Sequence, residues 1–421
     1  MSSVLISGNA LLSGEINIQG SKNAALPMIA ASLLNIGITI LKACPNILDV
    51  QNMVNVLRQM GCLVFWDNGD LIIDTTRIKT HEVLKEAAKK TRGSVLFLGA
   101  LIGRIGIARI AYPGGCSIGK RKIDLHLKGL EEMGVIFYEN DDMLYADATS
   151  IHGNVVTLRF PSVGATENIL LAAVLASGRT EIINAALEPE IVALCEFLNN
   201  AGAKISGIRT NHLIIDGVER LHDNMYQIPP DRIVAGTYLV AVAATGGDAI
   251  IHGVVEEDLT EVLRVLRAMG CEITVKDQSA HIIRKKALMA PETIVTRPFP
   301  GFPTDLQSQF MVLLSKAIND SSIVEEIFEE RFLIVEELNK LGAKITIEGN
   351  EARIRGNRKL IGTTVVAKDL RGGAALIIAG LISSGETIVL NTDYVERGYV
   401  DICKDLQALN ASVKYIESSI Q

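Results

Sequence analysis

The feature that most constrains the fold of this chain is a pattern that recurs six times along it. In each copy an amphipathic helix is followed by glycine or asparagine and then by a β-rich stretch. The recurring residues are Gly61, Gly134, Gly202, Gly270, Gly342 and Asn410. Glycine and asparagine both suit the left-handed conformation that ends many helices. A period of roughly 70 residues of this kind predicts a structure built from six similar units.

Each unit also contains a second helix that is apolar on nearly all sides. The copies include NAALPMIAASLL, TENILLAAVLA and GGAALIIAGLI. A helix of this kind must be buried, whereas the amphipathic helix buries only one face. Strand-like stretches alternate with the helices, and the hairpin CLVFWDNGDLIIDT carries the type I′ turn signal Asn68-Gly69. We therefore predict an α/β fold, classed as α+β in some schemes.

The repeat also predicts two domains. The sixth unit has only one strand, ASVKYI, after its amphipathic helix. The segments VLISG and GEINIQG resemble the strands of the other units, so residues 1–21 are expected to complete the sixth. Residues 22–229 would then form one domain of three units, and residues 1–21 with 230–421 would form the second. A continuous solenoid is the alternative arrangement of such repeats.

Composition excludes several classes of protein. The 421 residues are 48% hydrophobic and 21% charged, which is typical of a globular protein. A formal net charge of −7 argues against binding to nucleic acid. The apolar runs are shorter than the ~18 residues of a membrane span, and the start, MSSVLISGNA, does not resemble a signal peptide. The six cysteines form no CxxC pair or Cys/His cluster, so we expect reduced thiols, a cytoplasmic location and no metal site.

Charged or small residues stand at the N-termini of the apolar helices. They are Lys22, Arg92, the run Ser162-Val163-Gly164, Arg232, Asp305 and Arg371, one set in each unit. If the three helices of a domain run side by side, their free N–H groups and dipoles point the same way and form an anion site. A single Lys or Arg is usually a solvated surface charge. Repetition of the same position favours small anionic ligands.

Two residues have the chemistry of a proton-transfer pair. Cys116 lies in the glycine-rich sequence YPGGCSIGKR, where Lys120 and Arg121 would lower the pKa of its thiol. Asp305 would be kept ionised by the helix N-terminus and could act as a base, although a helix cap is the commoner role for such a residue. Gly114 to Lys120 also matches most of a P-loop, but Arg121 replaces the Ser or Thr that would hold Mg²⁺, which disfavours a nucleotide hydrolase.

The motifs GSKNAALP, PGGCSIG, GFPTDLQ, DLRGG and ERGY resemble those of the UDP-N-acetylglucosamine 1-carboxyvinyltransferases, and the resemblance runs along the whole chain. It implies a two-domain inside-out α/β barrel of six βαβαββ repeats, three per domain. It also implies transfer of the enolpyruvyl group of phosphoenolpyruvate to the 3-hydroxyl of UDP-N-acetylglucosamine with release of phosphate, by addition and elimination. This is the first committed step of peptidoglycan synthesis, and it needs no metal and no organic cofactor.

The resemblance implies roles for particular residues. Cys116 would donate a proton to phosphoenolpyruvate, and Asp305 would take one from the sugar hydroxyl. The residues that contact phosphoenolpyruvate would be Lys22, Asn23, Arg121 and Arg397, supported by Arg331 and Arg371. The residues that contact the UDP-sugar would include Asn23, Arg92, Arg121, Lys122, Ile123, Asp124, Leu125, Ser162, Val163, Gly164, Asp305 and Ile327. Lys122 stands where the family usually has proline, and Leu187 stands where it usually has a basic residue.

Two alternative functions remain open from the sequence. The related transferases that act on shikimate 3-phosphate share the expected fold, but their family lacks the PGGC loop. A repeat scaffold without catalytic activity would leave the recurring basic positions unexplained. No protein partner can be identified from the sequence.

Overall fold

The structure is a computed structural model that describes residues 2–114 and 122–417. The chain divides into two compact units. Among the described residues, the central unit contains 20–114 and 122–229, and the terminal unit contains 2–19 and 230–417. No helix in these described ranges combines the length and apolarity needed to cross a bilayer.

The described residues form short strands that recur in every repeat. In chain order they are β1 (Ser2–Ser7), β2 (Ser13–Asn17), β3 (Ile38–Lys42), β4 (Leu63–Asp67), β5 (Asp70–Asp74), β6 (Glu82–Val83), β7 (Ile107–Ala111), β8 (Ile136–Asn140), β9 (Met143–Asp147), β10 (Val155–Thr157), β11 (Arg179–Ile183), β12 (Lys204–Ser206), β13 (His212–Asp216), β14 (Asn224–Gln227), β15 (Asp248–His252), β16 (Glu272–Lys276), β17 (Ser279–Ile283), β18 (Thr293–Val295), β19 (Ser321–Val324), β20 (Ile345–Glu348), β21 (Glu351–Ile354), β22 (Thr364–Val366), β23 (Glu386–Leu390) and β24 (Val413–Glu417).

Two kinds of helix alternate with these strands. In chain order the α-helices are α1 (Lys22–Ala31), α2 (Leu48–Gln59), α3 (Lys85–Ala88), α4 (Leu96–Ile105), α5 (Asp124–Glu132), α6 (Val163–Ala173), α7 (Pro189–Asn200), α8 (Arg232–Thr245), α9 (Thr260–Ala268), α10 (Gln307–Lys316), α11 (Val335–Lys340), α12 (Leu370–Ile382) and α13 (Ile402–Ala408). The 3₁₀ helices are Ser32–Leu34, Arg92–Val95, Glu257–Leu259, Thr304–Leu306 and Thr392–Arg397.

The strands form six four-stranded sheets of one topology. The central unit contains the orders β14-β3-β5-β4, β6-β7-β9-β8 and β10-β11-β13-β12. The terminal unit contains β2-β15-β17-β16, β18-β19-β21-β20 and β22-β23-β1-β24. In every sheet the first pair is parallel and the other two pairs are antiparallel. The predicted α/β class and the six repeats are therefore confirmed, and each of these sheets is open rather than closed on itself.

The two N-terminal strands serve different sheets. β1 lies between β23 and β24, with Val4 opposite both Val389 and Tyr415, and so completes the sixth sheet as expected. β2 pairs instead with β15, where Ile16 is opposite Ile251. The expectation that all of residues 1–21 complete the sixth unit was therefore wrong for β2, which belongs to the fourth. The alternating pattern of a strand indicates which face is buried, but it does not indicate which strand lies beside it.

The apolar helices form the centre of each unit, as their composition predicts. In the central unit α4 packs against both α1 and α6, and in the terminal unit α8, α10 and α12 pack on one another. Every residue of α12 is buried. The sheets cover these helices with one face, while the amphipathic helices bury one side; α9, for example, buries Val262, Leu263 and Leu266. The helices are thus inside and the sheets outside.

Glycines allow close approach of α4 to its neighbours and show the direction of packing. A Cβ atom at Gly99 would lie 2.3 Å from the Asn168 carbonyl oxygen of α6, and one at Gly103 would lie 2.7 Å from that of Leu171. The residue contacted in α6 lies further along the chain for Gly103 than for Gly99, so α4 and α6 run parallel. The N-terminal ends of these helices therefore lie at the same end of the unit.

We expect Gly99→Ala to lower the midpoint of thermal unfolding, because the added methyl group meets backbone atoms that cannot move alone. Overpacking of this kind costs about 1–3 kcal/mol. Gly129→Ala in α5 is a matched control, since its nearest neighbour is the side-chain end of Ile169, which can rotate away. Calorimetry of the two variants tests this, and an equal or smaller loss for Gly99→Ala would contradict the close packing of α4 on α6.

Candidate functional site

The residues predicted to bind or react are distributed over both units. Cys116 and Arg121 lie outside the described residues. The central unit contains Lys22, Asn23, Arg92, Lys122, Ile123, Asp124, Leu125, Ser162, Val163 and Gly164. The terminal unit contains Asp305, Ile327, Arg331, Arg371 and Arg397.

Lys22 is the first residue of α1 and forms a nearly buried ion pair. Its Nζ lies 2.7 Å from Oδ2 of Asp49, and the two side chains are 13% and 2% exposed. Ser21 caps the same helix, because its hydroxyl accepts a hydrogen bond from the Ala24 amide at 3.3 Å. A paired charge in so dry a position is held in one place, since separating it from its partner is costly. The ammonium group is thereby fixed at the start of α1.

Asn23 follows Lys22 and contacts a group of buried acidic residues. Its Nδ2 donates to Oε1 of Glu190 at 3.3 Å. Glu167 and Glu190 are both buried. Burial, with the nearby carboxylates of Glu190 and Glu188, raises the pKa of Glu167 well above its ordinary value. The neutral form of Glu167 is therefore favoured, which lessens the repulsion within this group.

The other two apolar helices of the central unit begin near predicted binding residues. Arg92 opens the 3₁₀ turn before α4 and is half-buried. A Cβ atom at the adjacent Gly93 would lie 3.3 Å from both Leu26 and Met53, so this turn packs beside α1 and α2. Ser162 caps α6, and its hydroxyl accepts from the Ala165 amide at 3.4 Å. Its hydroxyl is thus already engaged with the helix.

A histidine connects the predicted uridine segment to the start of α6. A Cβ atom at Gly164 would lie 3.0 Å from Cε1 of His126, so the ring lies against this turn. Nδ1 of His126 is 2.7 Å from Nδ2 of Asn168, which also donates to the Val95 carbonyl at 3.0 Å. Because an amide nitrogen only donates, Nδ1 must accept, and the ring proton is on Nε2. This contact brings the first turn of α5 next to Gly164.

The residues that lead into α5 differ in their exposure. Lys122 is exposed, Ile123 is buried and Leu125 is half-buried against the core. Asp124, the first residue of α5, pairs on the surface with Arg159. An exposed pair of this kind contributes little stability, so Asp124 can exchange partners at small cost.

In the terminal unit, Asp305 lies between two arginines. Arg331 Nη2 pairs with Oδ1, and Arg371 Nη2 lies 3.0 Å from Oδ2. Both arginine side chains are 4% exposed, whereas Asp305 is 28% exposed. Its carboxylate does not cap the 3₁₀ helix Thr304–Leu306, which begins after Pro303 without a side-chain cap. The helix-cap interpretation of Asp305 is therefore excluded.

Each of the two arginines also has a buried N–H group without an acceptor among the described residues. Burial would lower the pKa of Arg371, but the charges of Asp305, Tyr399 and Asp231 outweigh this and raise it. Within the described ranges, Nη1 of Arg371 and Nε of Arg331 are buried and have no hydrogen-bond acceptor. A buried donor without an acceptor is unfavourable. A carboxylate or phosphate oxygen placed here would satisfy these donors.

A buried glutamate connects Ile327 to the Asp305 turn. Glu325 accepts hydrogen bonds from the amides of Ile327 and Phe328, at 2.9 and 3.1 Å. Its other oxygen accepts from Oγ1 of Thr304 at 2.9 Å. The loop that contains Ile327 is therefore tied to the residue that precedes Asp305.

Sequence analysis did not identify the partners Asp49, Glu190 and Glu325. Each is acidic and buried, which is rare unless the residue is paired or hydrogen-bonded. Asp49 and Glu190 stand in the first turn of amphipathic helices, where an acidic residue is expected for the helix dipole alone. The helix dipole therefore explains both residues from the sequence alone, and nothing marks them as partners of Lys22 and Asn23.

The cysteines of the described ranges are free and buried. Burial raises the pKa of Cys62 and Cys271 to about 11 and that of Cys44, Cys195 and Cys403 to about 12. Cys62 and Cys195 lie in the core of the central unit, and Cys271 and Cys403 lie in that of the terminal unit. Since the thiolate is the reactive form, these five residues are poor nucleophiles at neutral pH.

Comparison with known sequences relates the chain to enolpyruvyl transferases. A sequence model of EPSP synthase (3-phosphoshikimate 1-carboxyvinyltransferase) matches residues 6–406. The chain is 45% identical over 408 residues to UDP-N-acetylglucosamine 1-carboxyvinyltransferase 2 of Caldanaerobacter subterraneus subsp. tengcongensis, covering 97% of this chain and 98% of the relative. It is 44% identical over 417 residues to the enzyme of the same name from Carboxydothermus hydrogenoformans, covering 99% and 100%.

Solved structures share the fold at lower identity. The enolpyruvyl transferase NikO of Streptomyces tendae matches with a TM-score of 0.89 and 23% identity, covering 98% of this chain and 99% of that one. EPSP synthase of Acinetobacter baumannii matches with a TM-score of 0.77 and 18% identity, covering 99% and 100%. The chain belongs to the EPSP synthase family of enolpyruvyl transferases.

We expect iodoacetamide at neutral pH to modify Cys116 well before the other cysteines, because the five buried thiols have pKa values of about 11 to 12. Peptide mass spectrometry of the native protein measures the site and extent of modification. The same reaction in denaturant is the control, since it should modify all six cysteines. Preferential modification of Cys195 or Cys62 in the native protein would contradict the prediction.

Proposed function

We propose that this chain transfers the enolpyruvyl group of phosphoenolpyruvate to the 3-hydroxyl of UDP-N-acetylglucosamine and releases phosphate. The observation that carries the proposal is the Asp305 group, in which a potential base stands beside two buried guanidinium groups with available N–H donors. Phosphoenolpyruvate carries a phosphate and a carboxylate and so needs several cations. Relatives that are 45% and 44% identical are named for this reaction.

The reaction needs one acid and one base. Cys116 adds a proton to the methylene carbon of phosphoenolpyruvate, so that C2 becomes cationic in character. The sugar oxygen attacks C2 as Asp305 accepts the hydroxyl proton. The tetrahedral adduct then returns a methyl proton to the Cys116 thiolate and expels phosphate, which restores the carbon–carbon double bond. The proton held by Asp305 is released with the phosphate. General acid–base catalysis by positioned side chains accounts for each proton transfer without an additional group.

The two arginines also control the basicity of Asp305. A carboxylate that accepts hydrogen bonds from two guanidinium groups is a weak base, because both interactions favour its charged form. An arriving carboxylate or phosphate competes for Arg331 and Arg371. As their hydrogen bonds shift to the substrate, Asp305 becomes more basic. In this scheme Asp305 becomes an effective base only when phosphoenolpyruvate is bound.

The central unit would hold the UDP-sugar. The start of α6, at Val163 and Gly164, offers backbone N–H groups and a positive dipole end to the diphosphate. Lys22 and Asn23 would contact phosphoenolpyruvate and the sugar, and Arg92 would contact the UDP-sugar. The run from Arg121 to Leu125 would line the uridine pocket, with Lys122 in the place of the usual proline.

We further propose that the reaction takes place in the cytoplasm and supplies peptidoglycan synthesis, and through it cell shape and division. The five free and buried cysteines of the described ranges fit a reducing compartment. No metal or organic cofactor enters the scheme.

Release of phosphate from phosphoenolpyruvate tests the proposed function directly. Purified protein should release phosphate with UDP-N-acetylglucosamine, but not without an acceptor. Shikimate 3-phosphate in place of the UDP-sugar tests the alternative acceptor. Release with shikimate 3-phosphate alone would assign the chain to that activity, and no release with either acceptor would refute enolpyruvyl transfer.

We expect Asp305→Asn to lower kcat by at least about 100-fold, because the amide cannot accept the hydroxyl proton, and a positioned general base contributes about 10²–10⁴-fold. Asp320→Asn is a matched control in the same unit, because Asp320 is 62% exposed, pairs with Arg355 on the surface, and can keep the hydrogen bond that its Oδ1 accepts from the Gly356 amide after the change to asparagine. Steady-state phosphate release compares the two variants. Equal activity would remove Asp305 from the mechanism.

We expect Cys116→Ala to abolish turnover or slow it severely, because no acid remains to protonate phosphoenolpyruvate. Cys116→Asp supplies another acid and should keep measurable activity. The control Cys195→Ala, which removes a buried thiol of α7, should retain the activity. Fosfomycin, which alkylates this thiol in the family, should inactivate the wild type but not Cys116→Asp. Normal turnover by Cys116→Ala would contradict the assigned role.

A further inference from the structure

Arg397 belongs to a short segment that other parts of the terminal unit hold in place. The segment comprises residues 392–400, which we call the Arg397 segment. It begins with the 3₁₀ helix Thr392–Arg397 and continues through Gly398 and Tyr399. A 3₁₀ helix is weakly stable in isolation. The position of the Arg397 backbone therefore depends on contacts made by its neighbours.

Gln19 binds the backbone on both sides of Tyr399. Its Nε2 donates to the Gly398 carbonyl at 3.0 Å, and its Oε1 accepts from the Val400 amide at 2.8 Å. One side-chain amide thus replaces the paired donor and acceptor of a neighbouring strand. The backbone of Gln19 is itself fixed, because its carbonyl accepts from the Asp231 amide at 2.9 Å. Gln19 is the last residue of the terminal unit before the chain enters the central unit.

Ser2 holds the opposite end of the segment. Its amide donates to Oδ1 of Asp393 at 3.0 Å. Its hydroxyl lies 2.8 Å from both Oγ1 of Thr392 and Oε1 of Glu396. Because Ser2 is in β1 and Gln19 lies just beyond β2, the N-terminal strands hold both ends of the Arg397 segment.

The side chain of Tyr399 attaches the segment to the core of the terminal unit. It is 2% exposed, and its hydroxyl lies 2.8 Å from Oγ1 of Thr237 in α8. Oγ1 of Thr237 donates to the Ile233 carbonyl at 2.8 Å and accepts from Nε2 of Gln309 at 3.0 Å. The two hydroxyl groups share one hydrogen bond, in which either oxygen can be the donor. The anchor therefore connects to both α8 and α10.

Tyr399 also interacts with Arg371, the arginine that pairs with Asp305. Burial raises the pKa of Tyr399, while the charge of Arg371 opposes the rise. A hydrogen bond from the Arg371 guanidinium group to the phenolic oxygen acts on the pKa in the same direction. The geometry agrees, because a Cβ atom at Gly398 would lie 2.8 Å from Cδ2 of Leu370, and one at Gly373 would lie 2.7 Å from Cγ2 of Val395. The Arg397 segment therefore packs on the first turn of α12, which carries Arg371.

We propose that Gln19 and Tyr399 are positioning residues that fix Arg397 relative to Arg371 and Asp305, so that the two arginines meet the same anionic substrate. This proposal rests on the proposed function, in which that substrate is phosphoenolpyruvate. Gln19 fixes the backbone next to Arg397, and Tyr399 fixes how closely that backbone approaches helix α8. Neither residue needs to touch the substrate. A displacement of about 1 Å in such a group can cost as much as 100-fold in rate.

Two substitutions test the proposal, each with a matched control. Tyr399→Phe removes one buried hydroxyl, and its control Tyr238→Phe removes the hydroxyl that donates to Asp405 at 2.6 Å in the same aromatic pair. Gln19→Met keeps the length of the side chain but loses both hydrogen bonds. Its control is Gln407→Met, which loses a 2.7 Å bond to the Val413 carbonyl outside the segment.

Hydrogen–deuterium exchange and kinetics are measured on all four variants of the full chain. We expect faster exchange across residues 392–400 in Gln19→Met and Tyr399→Phe, most clearly at the Val400 amide in Gln19→Met. We expect their KM for phosphoenolpyruvate to rise about tenfold, with the KM for UDP-N-acetylglucosamine unchanged within about twofold. The two control variants should lose as much thermal stability as the test variants, but their KM values should stay at the wild-type level.

Two results would overturn the proposal. One is unchanged exchange across the Arg397 segment in both test variants. The other is faster exchange with a KM for phosphoenolpyruvate no higher than in the controls, which would make the contacts merely structural. If the wild type releases no phosphate with UDP-N-acetylglucosamine, the proposed function fails and the substrate part of the inference fails with it. The exchange data then decide separately whether these residues hold the segment.

Discussion

The structure depends on one constraint, which is that three helices in each unit are apolar on every side and must be shielded from water all round. One sheet cannot shield such a helix from water, because it packs against only one side of the helix. Helix neighbours and three sheets together do so, and they leave the helix ends as the places where polar residues can lie. Helix α12 illustrates this, since all of it is buried and its first turn carries Arg371. The burial that stabilises the unit therefore also collects charge at one end of it.

The charged groups at these ends are held by pairing rather than by exposure to solvent. Lys22 is paired with Asp49, and Asp305 with Arg331 and Arg371. Charges that are desolvated and fixed lose little entropy when a ligand arrives, and they interact with it more strongly than solvated charges do. The ion pairs thus keep the site assembled while retaining strong charges for an anionic substrate.

The sequence predicted the repeat and the fold class, because both depend on local periodicity. It could not predict contacts between distant residues. The pattern of β2 identified a strand but not its partner β15. Asp305 matched a helix cap by position, yet its partners lie 26 and 66 residues away. Gln19 gave no signal at all, because a glutamine that binds backbone groups of a distant segment looks like any polar residue.

The position of β1 has a consequence for the order in which the protein forms during synthesis. Residues 2–7 lie between β23 and β24, so their partners are synthesised only after the whole central unit. At 5–20 residues per second, this delay is on the order of tens of seconds. The central unit needs no such wait, since all its sheets are complete once β14 is made. β1 therefore stays without its sheet partners during the time in which the central unit can already fold, so the chain can complete its two units one after the other.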